Sequence, residues 1–253
     1  MQPINDSTDR REPARGIVLG ASTVLALTAG WVNAVALLIF ALPVGNLTAV
    51  TTQLGMKTAN PWLYEGHVLL AVLTGFFMGA LTAGVVLPAE PIMAGIRPAA
   101  VLVGEAVLLL MATAAVEDTF VRDILEGTSV ETQAVQALFA ASALGLQNGL
   151  TSSFREMAVR TTHFTGTVTD LGLMIGRSRI RKIDPWKAST LALTLLLFLI
   201  GGAAGLVAGS RWGGYALIAP AMFCVALAAA SVLWVEVGRS VVGLGARREP
   251  VKA

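Results

Sequence analysis

The sequence predicts an all-α integral membrane protein. We expect six main transmembrane helices, arranged as two inverted three-helix repeats, each with a short threonine-rich broken or re-entrant helix. Composition predicts the membrane class, since 55% of the 253 residues are hydrophobic, 13% are charged and the mean hydropathy is +0.72. A soluble domain carries about twice this share of charge. Long uncharged runs and an internal duplication predict the helices and the repeats.

The duplication centres on two short segments rich in threonine. Residues 46–55, NLTAVTTQLG, align without a gap with residues 163–172, HFTGTVTDLG, and four of the ten positions are identical. Further upstream, residues 30–33 parallel residues 145–148 once two residues are inserted. We therefore expect each half of the chain to be one copy of the same structural unit.

The six crossings correspond to the longest apolar runs, and each run can cross a hydrocarbon core about 30 Å thick. His67 interrupts the second run and Glu105 interrupts the third. Prolines and polar or charged residues mark the ends of the runs. In chain order, the expected crossings are residues 17–42, 66–87, 99–116, 132–154, 188–210 and 212–235.

Two shorter segments, residues 46–56 and 161–176, lie within the halves. They are too short and too rich in threonine to make good lipid-facing spans, so we expect them not to cross. An alternative with eight crossings remains open, because the positive-inside bias favours neither count. In both counts most of the 18 Lys and Arg residues lie inside.

The charge distribution also divides the chain into regions. The central link holds five acidic residues and one arginine, which is the composition expected outside the cell. With three crossings in each half, the two repeats have opposite orientations and their short segments enter from opposite faces. The expected regions are a cytoplasmic tail at 1–15, repeat 1 at 16–116, an acidic extracytoplasmic link at 117–131, repeat 2 at 132–236 and a basic cytoplasmic tail at 237–253.

A resemblance to a known family rests on four motifs, residues 145–148 (GLQN), 160–162 (RTT), 165–166 (TG) and 169–172 (TDLG), and covers nearly the whole chain. On these motifs the chain resembles the YoaK-type family of uncharacterised bacterial multi-spanning membrane proteins. The first half departs from the family pattern at Asn33, where the family has aspartate, and at residues 48–50, where it has Thr-Gly-Asn. The resemblance implies a multi-pass protein of the bacterial plasma (inner) membrane, but no substrate or activity.

Two carboxylates are candidates for proton coupling or cation binding. Glu105 is expected near the middle of a span, where a charge costs several kcal/mol unless it is paired, neutralised or hydrated. Asp170 lies in the second short segment. Structural alternatives remain for both: a protonated Glu105 bonded to a neighbouring helix, and a solvated Asp170 that faces the basic linker. His163 suits either a proton relay or a helix start.

The remaining candidates are amides and threonines within apolar segments, where polar groups require partners. Asn33 and Asn148 occupy repeat-related positions and are expected to line one central cavity, although such amides also tie helices together. The threonines either ligate a solute or bond to their own helix. The full predicted substrate or ion pathway is Asn33, Asn46, Thr48, Thr52, Glu105, Gln147, Asn148, His163, Thr165, Gly166, Thr169 and Asp170.

These features predict a small secondary transporter or facilitator of a small polar or ionic solute, with proton coupling through Glu105 and Asp170. The alternative is a non-transporting membrane interaction or regulatory protein. We expect a homodimer, membrane lipids as partners, and anionic lipid at the basic linker 177–187. No motif indicates enzyme chemistry, a cofactor, a metal site or nucleic-acid binding.

Overall fold

Helices form almost all of the described chain. The structure is a computed structural model that describes residues 11–59, 66–92, 94–116, 131–154 and 161–246. Within these ranges the only strand-like feature is an isolated bridge between Ile92 and Phe154. The helices are α1 (Arg11–Phe40), α2 (Leu47–Ala59), α3 (Gly66–Val86), α4 (Ile96–Val116), α5 (Thr132–Ser152), α6 (Phe164–Gly176), α7 (Pro185–Trp212) and α8 (Ile218–Ala246), with a 3₁₀ turn at Gly213–Leu217.

Four stretches of the described chain are long and apolar enough to cross a membrane. They are Arg15–Phe40, Gly66–Val86, Ile96–Ala115 and Pro185–Val237, of which the last has 53 residues and joins α7 to α8. Helix α5 falls outside this set because its glutamines and Asn148 lower its hydropathy. The apolar helices indicate a membrane protein.

Several helix ends differ from the predicted boundaries. Helix α1 begins at Arg11, inside the predicted tail, and α8 continues to Ala246, inside the other tail. Helix α7 begins at Pro185 because the side chain of Asp184 caps it, accepting from the backbone N–H groups of Trp186 at 3.0 Å and Lys187 at 3.2 Å. Residues 1–10, most of the acidic link (117–130) and residues 247–253 lie outside the described chain.

The long helices of each half pack mainly against long helices of the other half. Helix α1 of the first half lies along α7 of the second, and α3 of the first half lies along α5 of the second. These two contacts, α1 with α7 and α3 with α5, are the exchanged pairs. The short helices stay within their own halves, with α2 against α3 and α6 against α7. Helix α4 contacts both α5 and α8, so the core forms between the halves.

Glycines allow the exchanged pairs to come close. A Cβ added to Gly201 would overlap the carbonyl oxygen of Leu27 on α1, and one added to Gly79 would overlap that of Ser142 on α5. On the opposite side of α3, Phe77 and Met78 are exposed. Small residues at the helix contact and large apolar residues outside are typical of helices that pack within a bilayer.

Candidate solute cavity between the halves

A cavity of about 680 Å³ lies between the two halves of the chain. Residues from α1, α2, α3, α5, α6 and α7 form its wall, together with the segments that precede the two short helices. Four pairs in the wall are related by the repeat alignment: Asn33 with Asn148, Asn46 with His163, Leu47 with Phe164, and Thr48 with Thr165. Residues that the sequence alignment pairs therefore line one cavity.

The paired asparagines tie the long helices α1 and α5 to the segments that precede the short helices. Asn33 Oδ1 accepts from the backbone N–H of Gly45 at 3.0 Å. Asn148 Nδ2 donates to the carbonyl oxygen of Leu144 at 2.9 Å and to Thr162 Oγ1 at 3.0 Å. A backbone N–H only donates and a backbone carbonyl only accepts, so these partners define the orientation of both amides.

Both short helices begin at the cavity and run away from it. The side chain of Asn46 caps α2 by accepting from the backbone N–H of Ala49 at 3.2 Å. His163 occupies the cap position of α6 and makes no side-chain cap bond, while its ring packs against Gly166. Gly166 lies in the first turn of α6. Among the described residues, α2 and α6 share this cavity without packing on each other.

The four predicted threonines divide into two that line the cavity and two that bond to their own helix. Thr48 and Thr165 lie in the cavity wall. Thr52 Oγ1 donates to the carbonyl oxygen of Thr48, and Thr169 Oγ1 donates to that of Thr165, both at 2.8 Å. The second threonine of each helix therefore satisfies its own helix and does not line the cavity.

Aromatic residues complete the wall, and sequence reasoning missed them. Phe76 and Phe198 line the cavity from α3 and α7, and the ring of Phe198 lies 4.1 Å from that of Phe164, measured between centroids. The backbone of Phe76 closely approaches Gly145 and that of Phe198 approaches Gly30. Since the alignment pairs Gly30 with Gly145, the two phenylalanines make corresponding backbone contacts in the two exchanged pairs.

The family described as Protein of unknown function (DUF1275) matches residues 21–230 of the chain. The chain belongs to this family. The matched region contains both short helices and every residue in the cavity wall. No curated protein and no solved structure matches the chain. Membership in DUF1275 therefore establishes a family but assigns no activity.

Gln147 holds helices together in this DUF1275 chain. Its side-chain amide donates to the carbonyl oxygen of Leu25 on α1 at 2.8 Å and to Thr161 Oγ1, just before α6. It is buried and does not line the cavity. Gln147 and Asn148 are adjacent in α5 but serve different contacts.

Glu105 lies outside the cavity wall, within the packed interface of α4 and α8. Its side chain has no exposed surface and lies beside the thiol of Cys224. Within the described part of the chain, neither carboxyl oxygen has a hydrogen-bond partner other than this thiol. A buried carboxyl whose polar neighbour is only a weakly polar thiol is costly, so its presence requires a functional or structural reason.

Asp170 lies in a second, smaller recess of about 230 Å³ where α6, the basic linker and α7 meet. Its carboxylate is 3.4 Å from Lys187 Nζ, and both side chains are roughly half exposed. Arg177, Arg181 and Lys182 also line this recess. The structure therefore places Asp170 among the basic residues of the linker and away from Glu105 and the asparagine pair.

Proposed function

We propose that this chain is a small secondary transporter or facilitator of a small polar or ionic solute, and that the cavity between the halves is its substrate site. The observation that carries this proposal is the meeting of repeat-related residues in one cavity. Duplicated transporters place their substrate sites at the interface of the repeats and use broken helices to build them. Here the starts of α2 and α6 provide that type of wall.

Six crossings in two inverted repeats are part of the same proposal. Helix α5 has 21 residues and would span about 32 Å. The side-chain N–H groups of its glutamines find partners inside the protein, since Gln136 donates to Ala115 O and Gln147 donates to Leu25 O. These bonds support α5 as a crossing despite its lower hydropathy. Three crossings in each half then require opposite orientations, in a YoaK-type protein of the bacterial inner membrane with both termini cytoplasmic.

Cysteine accessibility tests the inversion. Thr52 and Thr169 are repeat-related and exposed, whereas the native Cys224 is buried and gives a low background. We expect Thr52→Cys and Thr169→Cys to react with a membrane-impermeant maleimide from opposite faces of sealed vesicles. Reaction of both positions from the same face would contradict the inverted arrangement.

A flux assay tests transport itself. Proteoliposomes should be challenged with glycerol, urea, glycine and lactate, and the vesicle volume followed by light scattering. We expect one of these solutes to cross faster than in protein-free liposomes, and Asn33→Asp to slow it. If no solute crosses faster in a preparation whose folding has been verified, the result favours the alternative, a non-transporting membrane interaction or regulatory protein.

Proton coupling through Glu105 is a separate component of the proposal. Helix α4 carries Glu105 and packs on α5, which carries Asn148. A shift of α4 when Glu105 gains or loses a proton can therefore move α5 and the cavity wall. Asp170 is the weaker coupling residue because Lys187 pairs with it at the surface. Proton uptake under an imposed solute gradient is the measurement, and uptake unchanged in Glu105→Gln would exclude coupling through this residue.

Two partners complete the proposal. The recess around Arg177, Arg181 and Lys182 suits the headgroup of an anionic lipid at the inner surface. Six crossings are few for a complete transporter, which favours a homodimer. Native mass spectrometry from nanodiscs with and without anionic lipid measures both lipid binding and oligomeric state.

A further inference from the structure

We propose that the cavity binds a small monocarboxylate that has a hydroxyl or N–H donor beside its carboxylate and an apolar body. This inference rests on the proposed function and specifies the class of substrate. It depends on three features of the cavity wall: the starts of two helices, a pair of amides with complementary free ends, and a set of phenylalanines.

The two helix starts provide a site for negative charge. The first N–H groups of a helix have no partners within that helix, and the helix start carries a positive charge of about half a unit. The cap residue His163 leaves these groups of α6 without a side-chain acceptor. In α2, Asn46 caps only Ala49. Because Leu47, Thr48, Phe164 and Thr165 all line the cavity, both helix starts face the same space.

The charge of the wall favours a single negative charge on the ligand. Among the described residues that line the cavity, none is Asp, Glu, Lys or Arg. Two helix starts together supply the equivalent of about one positive charge. A monoanion therefore complements the cavity, whereas a cation meets no carboxylate in the described wall.

Asn33 adds a side-chain donor to this site. Its Oδ1 accepts from the backbone N–H of Gly45, so its Nδ2 is the group that can donate to a ligand. Within the described chain, Nδ2 makes no hydrogen bond. We assign this group to a carboxylate oxygen of the ligand.

Asn148 provides the complementary acceptor. Its side chain is only 7% exposed. Its Nδ2 donates to Leu144 O and to Thr162 Oγ1, whereas its Oδ1 has no partner in the described chain. An unsatisfied buried acceptor is costly, so a ligand that donates to it is favoured. The repeat-related asparagines thus have opposite free ends, one a donor and the other an acceptor. A carboxylate beside an O–H or N–H group matches both.

The phenylalanines accommodate the apolar body. Phe76, Phe164 and Phe198 line the same cavity, and the volume of about 680 Å³ is sufficient for a ring as well as the polar end of a ligand. Aromatic side chains provide both apolar contact area and ring contacts. Mandelate, a 2-hydroxy acid with a phenyl ring, combines all three features and serves as a probe.

Binding to the purified protein in nanodiscs tests the assignment, with titration calorimetry as the measurement. We expect mandelate to bind, and we expect phenylacetate, which lacks the hydroxyl, to bind about tenfold more weakly because Asn148 loses its donor. Mandelamide, which lacks the charge, should also bind about tenfold more weakly. Equal affinity for phenylacetate would overturn the role of Asn148, and equal affinity for mandelamide would overturn the preference for an anion.

Asn33→Asp tests the donor without removing the bond to Gly45, since aspartate keeps an oxygen acceptor. We expect this variant to lose at least about tenfold in mandelate affinity while its melting temperature changes little. Gln133→Glu is the matched control, because it makes the same amide-to-acid change at an exposed position on α5. A similar loss of mandelate affinity in both variants would mean that the added negative charge alone weakens binding, and it would overturn the donor role of Asn33. The ligand series remains decisive if Asn33→Asp does not fold.

Uptake of labelled mandelate into proteoliposomes separates failure of this inference from failure of the proposed function. Mandelate that binds with the expected selectivity but does not enter the vesicles supports the site and contradicts transport. Conversely, flux of another solute without mandelate binding supports transport and overturns the monocarboxylate assignment. Absence of mandelate binding to folded wild-type protein at millimolar concentration also overturns the assignment.

Discussion

At the scale of single residues, the two acidic candidates occupy contrasting environments. Glu105 is completely buried beside Cys224, and in the described chain its oxygens have no hydrogen-bond partner other than that thiol. Asp170 is half exposed and paired with Lys187. A buried carboxyl is costly, while an exposed ion pair contributes little to stability. Substitutions at the two positions therefore have different expected effects.

We expect Glu105→Met to stabilise the fold. Methionine has a similar size and no polar group to leave unsatisfied, so the free energy of unfolding should rise by about 1–3 kcal/mol. Thermal unfolding in detergent measures the change, and Glu90→Met at an exposed position is the control. Greater stability together with loss of proton uptake would mean that Glu105 is retained for function. A large loss of stability would instead indicate a structural role for the carboxyl group.

We expect Asp170→Asn to change the free energy of unfolding by less than about 1 kcal/mol, because it removes an exposed ion pair. Proton uptake should also remain unchanged if coupling depends on Glu105. The same thermal unfolding and proton-uptake measurements apply, with Lys187→Gln as the partner control. Abolished uptake in Asp170→Asn with normal uptake in Lys187→Gln would restore Asp170 as a coupling residue.

At the scale of helices, glycines determine how closely the exchanged pairs pack. Gly79 on α3 lies against the backbone of Ser142, and Gly201 on α7 lies against that of Leu27. Backbone atoms cannot rotate away as a side chain can, so an added methyl group forces the helices apart. The helix contacts that form the cavity therefore depend on these positions.

We expect Gly79→Ala to destabilise the protein by about 1–3 kcal/mol because of overpacking. Gly84→Ala is a matched control on the same helix, since a Cβ at Gly84 would have no neighbour within 4 Å. Thermal unfolding of both variants in the same detergent compares them directly. Equal melting temperatures would show that α3 and α5 do not approach each other as closely as described.

At the scale of the whole molecule, neither half is self-contained. The main contacts of α1 are with α7, and those of α3 are with α5, so each half packs its long helices largely against the other half. The cavity wall also requires residues from both. Folding and site formation are therefore coupled between the halves.

We expect a chain divided within the acidic link to assemble from its two fragments. Coexpressed fragments 1–122 and 123–253 should copurify and regain thermal stability, because the contacts between α1 and α7 and between α3 and α5 do not require chain continuity. Each fragment expressed alone should be degraded or aggregate, since its glycine-lined faces have no partner. Two fragments that are each stable alone and do not associate would contradict the exchanged packing.

Much of this organisation can be predicted from sequence because its signals are local. Hydropathy predicts the apolar helices, and the alignment of 46–55 with 163–172 predicts two short related helices. The upstream match of 30–33 with 145–148, with two residues inserted, predicts that Asn33 and Asn148 correspond, and the structure places both in one cavity wall. Helix ends are less predictable, as the capping by Asp184 illustrates: its side chain starts α7 inside the predicted linker.

Only the tertiary structure decides which polar residues meet. Glu105 and Asp170 are both plausible pathway residues in sequence, yet neither lies in the wall that contains Asn33 and Asn148. Phe76 and Phe198 carry no signal as single residues, but they join that wall because their backbones pack against Gly145 and Gly30. Hydropathy and residue spacing describe neighbours along one helix. Which residues share the cavity wall depends instead on the close packing of α1 with α7 and of α3 with α5.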